Sequence, residues 1–160
     1  MPIPNETQRP PARVFLVDDH ALVREHLSAL IQGTADLTVC GEAEDAPRAL
    51  SLIKRLKPDL VILDISLKGS SGLDLLEALR KLPIRPAVLV LSMHDDRFYV
   101  ARALQAGARG YITKEEAPTR ILPAIRKVLS GGLYLSDRMA ERVLNKAANA
   151  ARALTEEVQV

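Results

Sequence analysis

The chain has 160 residues, 48% apolar and 26% charged, with a net charge of +2 at pH 7. That length suits one domain with a substantial core plus an appendage. The small net charge, the absence of tryptophan, 3% aromatic content and the lack of any dense Lys/Arg run argue against a nucleic-acid surface built on charge or base stacking. A lone cysteine, Cys40, excludes an intrachain disulfide and a multi-cysteine metal site, and its place in LTVCG reads as a buried, inert thiol. No apolar stretch approaches a membrane span.

In chain order, residues 1–11 are polar and proline-rich without a hydrophobic signal core. They read as a disordered leader, with cytoplasm as the default compartment. The run RVFLV (13–17) predicts a first strand, ending in Asp18 and Asp19. Val23, Leu27, Leu30 and Ile31 have helical spacing. LTVCGEA (37–43) predicts a second strand. Asp45 is placed to cap a helix carrying Ala49, Leu50, Ile53 and Leu56, with Pro47 in its first turn and Pro58 beyond its end. LVIL (60–63) is a third strand, and Leu75, Leu76 and Leu79 mark a helix that stops before Pro83. AVLVLS (87–92) is the fourth strand. A helix over about 96–106 follows, with Gly107 at its C-cap. ARGYIT (108–113) is the fifth strand. The last helix of this series carries Ile121, Leu122, Ile125, Val128 and Leu129, and ends at Gly131-Gly132. Pro123 falls inside that pattern, so the helix is expected to start late, near Arg120, or to kink. Met139, Val143, Leu144 and Ala147 predict a further helix over about 136–150.

Five strands alternating with helices imply an α/β fold: a doubly wound, five-stranded parallel sheet of order 2-1-3-4-5, followed by a C-terminal helix. The continuously apolar LVIL and AVLVLS suit strands covered on both faces. Ligands in such sheets bind beyond the carboxyl ends of the strands at the topological switch point, here between strands 1 and 3. Asp18 and Asp19 follow strand 1 and Asp64 follows strand 3, so three carboxylates converge on one patch. Taken singly, the aspartate pair reads as a polar loop and Asp64 as an N-cap. Together they repel one another unless a cation joins them. An all-oxygen acidic set suits Mg²⁺. Ser92 ends strand 4 and Lys114 ends strand 5, adding a hydroxyl and an ammonium. A metal, a lysine, a hydroxyl and a carboxylate nucleophile form a kit for phosphoryl transfer, with Asp64 as the best nucleophile candidate.

Over about residues 12–131 the chain resembles the receiver domain of two-component response regulators. VDDH, LVILDISLKGSSGLDLL, VLVLSMH and GARGYITK carry the resemblance together. It implies that Asp64 accepts a phosphoryl group from a sensor histidine kinase. Asp19 would ligate Mg²⁺ directly, Asp18 largely through water, and the Ser66 backbone carbonyl would add a further ligand. Lys114 would pair with phosphoryl oxygens. Ser92 matches the switch hydroxyl and Tyr111 the aromatic that follows it inward, although a half-buried strand tyrosine is also common. The switch would act on the helix 4, strand 5 and helix 5 face, control dimerisation, and catalyse only its own phosphorylation and dephosphorylation. The stretch from LSMHDD to LYLS resembles regulators with a C-terminal LuxR-type helix-turn-helix. Residues 132–160 then read as a linker helix, with LTEEV as the opening of a DNA-binding domain that the sequence does not contain.

Three positions depart from the family pattern. Lys68 stands where proline is common, Glu115 follows the lysine where proline is common, and Pro123 interrupts the fifth helix. His20, His26 and His94 are scattered and read as solvated or helix-surface histidines. His94 lies two residues past Ser92, where the resembled family tunes access of water to the phosphoryl group, so the resemblance would give it a rate-modulating role. Arg120, Arg126 and Lys127 read as a solvated face, with a dimer contact as the alternative. Competing functions fit less well. A dehalogenase-type phosphatase wants a second acid two residues after its nucleophile, where this chain has Ser66. A nucleotide binder wants a phosphate loop where this chain has DDHALVRE, whose carboxylates would repel phosphate. A receiver-like interaction module that works without phosphorylation is the main alternative.

Overall fold

The computed structural model describes residues 9–67, 71–93 and 97–158. The expectations for Lys68, for His94 and for most of the leader lie outside those residues. Five strands, β1 (Ala12–Val17), β2 (Leu37–Ala43), β3 (Leu60–Asp64), β4 (Ala87–Ser92) and β5 (Gly110–Thr113), form one sheet of order β2-β1-β3-β4-β5. Every pairing is parallel, as expected. The helices are α1 (Ala21–Gln32), α2 (Ala46–Leu56), α3 (Gly72–Arg80), α4 (Arg97–Gln105), α5 (Ala117–Leu129) and α6 (Asp137–Val158).

Alternation along the strands sorts the core into two halves. Val14, Leu16, Leu60, Ile62, Leu89, Leu91 and Ile112 meet α1 and α5 through Leu27, Ile31, Ile121 and Ile125. Phe15, Val17, Val61, Leu63, Val88, Val90 and Tyr111 face α2, α3 and α4. Burial on both faces explains why LVIL and AVLVLS are apolar without a break.

Local chemistry sets the ends of the elements. Asp45 caps α2 by accepting from the Arg48 amide at 2.9 Å, with Pro47 in the first turn. Ser71 caps α3 through the Asp74 amide. Gly107 (φ +108°) and Gly131 (φ +92°) each follow a helix in the left-handed region. Paired amide-to-carbonyl bonds close both ends: Gly107 to Leu104 and Ala108 to Ala103, then Gly131 to Val128 and Gly132 to Lys127.

Four features differ from the sequence expectations. First, α5 starts at Ala117 rather than near Arg120 and keeps Pro123 inside it. Pro118 serves the first turn, while Pro123 and Thr119 both lie on the exposed side, where water can satisfy the carbonyl that Pro123 leaves without a donor. Second, α6 runs on to Val158 instead of ending near residue 150, taking LTEEV with it; its alanine-rich middle has neither Gly nor Pro to stop it. Third, Cys40 is half-buried, because the β1–β2 register skips it as a bulge between Val39 and Gly41. Burial still pushes its thiol pKa up, which fits an inert group. Fourth, the segment before α6 adds to the free edge of β5. Tyr111 N–H donates to the Tyr134 carbonyl and Tyr134 N–H to the Arg109 carbonyl, each at 3.0 Å. Met139 of α6 is then buried in the same core half as Tyr111, against the α4 side.

Candidate functional site

The carboxyl ends of β1, β3, β4 and β5 bring Asp18, Asp19, Asp64, Ser92 and Lys114 to one end of the sheet. The order 2-1-3-4-5 makes β1 and β3 neighbours, in register from Val14–Leu60 to Val17–Leu63, so Asp18 and Asp64 emerge side by side. The Asp18 amide donates to the Ala43 carbonyl at 3.1 Å and Ile65 to Leu91 at 3.1 Å. The Lys114 amide donates to the Ser92 carbonyl at 2.8 Å, tying the ends of β4 and β5 together. Backbone pairing thus fixes the base of each functional side chain.

Asp64 is 1% exposed and Asp18 2%. Asp64 Oδ1 accepts from the Ser66 amide at 2.9 Å, and Oδ2 accepts from Lys114 Nζ at 3.0 Å. The same ammonium stands 3.2 Å from Asp18 Oδ2 and therefore bridges two buried carboxylates. Asp18 Oδ1 accepts from the His20 amide at 2.8 Å. Its Oδ2, although close to Lys114, is buried and lies outside hydrogen-bond geometry, so a lone pair remains open. Burial pushes the Asp64 carboxyl above the ordinary carboxylate range. The Ser66 amide and Lys114 pull the other way, and the charge of Asp18 adds to the rise. Burial disfavours the Lys114 ammonium too, but its contacts with Asp64 and Asp18 outweigh that, and its pKa is raised. Lys114 is therefore held charged between acids that are costly to ionise together.

Oxygens of Asp18, Asp19 and Asp64 and one nitrogen of His20 lie within 4.8 Å of one another. Three carboxylates with one open buried lone pair fit a hard divalent cation such as Mg²⁺. Ser66 occupies the turn after Asp64, where the family resemblance looks for a carbonyl ligand. Ser92 and Tyr111 are both fully buried. Ser92 ends β4 beside Thr113, and Tyr111 packs in the core with Val100 and Ala103 of α4. Every peptide bond among the described residues is trans, including Lys114–Glu115.

Two participants escaped the sequence reading. His20 is not simply solvated: its Nδ1 is 3.1 Å from both Asp18 Oδ1 and Asp19 Oδ1 and 3.4 Å from Lys114 Nζ. Its position directly after the two aspartates was the available signal. Arg24, one turn into α1, donates to the Asp18 carbonyl and braces the loop. Nothing in a helical arginine's type announces that. Of the α5 cations, Arg126 is paired with Asp36 through two bonds of 3.0 and 3.1 Å rather than merely solvated.

The family model of the response regulator receiver domain matches residues 14–126. This chain belongs to the response regulator receiver family. It is 35% identical over 146 residues to the nitrate/nitrite response regulator protein NarL of Escherichia coli (strain K12), a match covering 91% of this chain and 67% of NarL. Among solved structures, a LuxR-family two-component response regulator from Aurantimonas sp. SI85-9A1 superposes with TM-score 0.80 at 33% identity, over 86% of this chain and 99% of that one. The signal receiver domain of NarL from Mycobacterium tuberculosis superposes with TM-score 0.73 at 35% identity, over 77% and 99%. The receiver is thus of NarL/LuxR type, and the chain spans about two thirds of the length of its full-length relative. No helix among the described residues is long and apolar enough to cross a membrane.

Proposed function

We propose that this receiver is a phosphorylation switch in which Asp64 accepts a phosphoryl group from a sensor histidine kinase. The reading rests on the Lys114 ammonium bridging Asp64 and Asp18 in a buried acidic cleft, 3.0 and 3.2 Å from them. A carboxylate oxygen of Asp64 forms the new O–P bond. The P–N bond to the kinase histidine breaks, and its electron pair stays on the imidazole. Lys114 stabilises charge on the phosphoryl oxygens. Asp18, Asp19, Asp64 and the Ser66 carbonyl would hold Mg²⁺, which when bound neutralises further phosphoryl charge. Ser92 and Tyr111 serve as the switch pair that biases the α4–β5–α5 face. The chain's only catalysis is of its own phosphorylation and dephosphorylation.

Residues 12–131 act as the receiver in this reading, 1–11 as a leader and 132–160 as the linker to a DNA-binding output domain of the kind its LuxR-type relatives suggest. Phosphorylation then favours a homodimer in the cytoplasm. The direct test is intact mass after incubation with Mg²⁺ and acetyl phosphate or phosphoramidate. One phosphoryl group is expected on the parent, and none on Asp64→Asn or after chelation. Folded, Mg²⁺-bound protein that gains no phosphoryl group from either donor would leave a phosphorylation-independent interaction module instead.

A further inference from the structure

At the opposite end of the sheet from Asp64 lies a groove of about 380 Å³, lined in part by Arg80, Arg85 and Arg109. These come from three places in the chain: the last residue of α3, the α3–β4 connection and the residue before β5. Among the described residues, no carboxylate lines the groove. Three arginine residues thus line one concavity in a chain whose net charge is only +2. Arginines brought to one concavity from separate parts of the chain make it attractive to an anion.

Two of the three are held in place by neutral oxygens. Arg80 donates to the Gln105 carbonyl at 3.2 Å, and Arg109 to the Gly131 carbonyl at 3.3 Å. The Arg109 backbone is pinned as well, its amide to Val88 and its carbonyl to Tyr134. A guanidinium has five donors, so one carbonyl partner orients it and leaves most of its hydrogen-bonding capacity available. Arg80 also pairs with Glu77 at 3.2 Å, but both side chains are nearly half exposed, so the pair exchanges readily for a ligand. Arg85 forms no salt bridge among the described residues, and Pro86 restricts its backbone. Glycines keep the wall open: a side chain at Gly107 would press on Arg80, and one at Gly131 would project into empty space.

We propose that this groove binds a small soluble phosphorylated anion with two or more negative charges, a diphosphate or nucleoside diphosphate. Planar, bidentate donors suit phosphate oxygens, and the volume lies in the range of small-ligand sites. The site is independent of phosphoryl acceptance at Asp64, so either can fail without the other.

The test is an amide NMR titration of the whole chain in metal-free buffer with inorganic pyrophosphate. Parallel arms use inorganic phosphate, ADP, sulfate at matched ionic strength, and vesicles containing an anionic phospholipid. Saturable shifts are expected at Gly107, Arg109 and Gly131, with none at Asp18 or Asp64. Arg85→Glu, which alters an exposed side chain, and Arg109→Gln should each weaken pyrophosphate binding about tenfold or more while the remaining spectrum stays that of the folded parent. Shifts that do not saturate, that sulfate reproduces, that centre on Lys114, or that survive both substitutions would overturn the proposal. So would binding to the vesicles without binding to pyrophosphate or ADP.

Discussion

Gly72→Ala should damage the acceptor loop from a distance. Gly72 is the first residue of α3, where alanine would ordinarily favour a helix over glycine by roughly 0.5–1 kcal/mol. Here a Cβ would stand 2.6 Å from both Cα and O of Ile65 and 2.8 Å from its carbonyl carbon. All three are backbone atoms of the residue after Asp64, so no side chain can rotate away. Reaching ordinary contact at 3.4 Å requires a shift of 3.4 − 2.6 = 0.8 Å, imposed on the turn that places the Ser66 amide 2.9 Å from Asp64. Overpacking of this kind costs about 1–3 kcal/mol, and against the helical gain leaves a net loss of up to about 2.5 kcal/mol, or up to roughly 10 °C in Tm for a domain of this size. Thermal melting and the initial rate of phosphorylation by acetyl phosphate both report on it, and both should fall. Gly33→Ala, at φ −72° with nothing nearer than 3.5 Å, is the matched control and should leave both unchanged. A Gly72→Ala protein with parent stability and parent rate would refute the reasoning.

Other outcomes follow from single contacts. Lys114→Met removes the ammonium between Asp18 and Asp64. Mg²⁺ affinity measured by calorimetry should rise while phosphorylation slows at least about tenfold; a weaker metal site would contradict the bridging role. Met139→Ala empties a buried position beside the Tyr111 half of the core. It should cost about 2–5 kcal/mol in denaturant unfolding, whereas Leu144→Ala, 69% exposed on the same helix, should cost under about 0.5 kcal/mol. Arg126 holds the Asp36 carboxyl below its usual range, so the pair contributes stability above the unfolded carboxylate pKa and loses it as pH falls through the lower folded value. Both side chains are about half exposed, which limits the effect to about 1 kcal/mol or less. Acid titration of Asp36→Asn should lack that component.

The sheet was legible because its signals are periodic and local. Buried parallel strands must be apolar without interruption, and Asp45, Gly107 and Gly131 mark helix boundaries by their own conformational chemistry. The convergence of Asp18, Asp64, Ser92 and Lys114 followed from strand order alone, since each ends a strand or directly follows one and the strands are neighbours. Side-chain direction within loops is set by tertiary packing, so adjacency to Asp18 and Asp19 marked the place of His20 without giving the direction of its ring. His20 reads like any exposed histidine until its ring is placed against two carboxylates. Pro123 carries a strong local preference, yet burial of Ala117, Ile121, Ala124 and Ile125 on one face holds the helix through it. The pairing of Tyr134 with the β5 edge leaves no periodic trace, because it involves a single residue's backbone.

The most direct test of the central claim locates the phosphoryl group. Protein treated with acetyl phosphate and Mg²⁺ is reduced with borohydride, which converts an aspartyl phosphate to the corresponding alcohol, then digested and sequenced by mass spectrometry. The account predicts the reduced residue at position 64 and unmodified aspartate at 18 and 19. Reduction at Asp18 or Asp19, or reduction at none of the three in protein that carries a phosphoryl group, would contradict it.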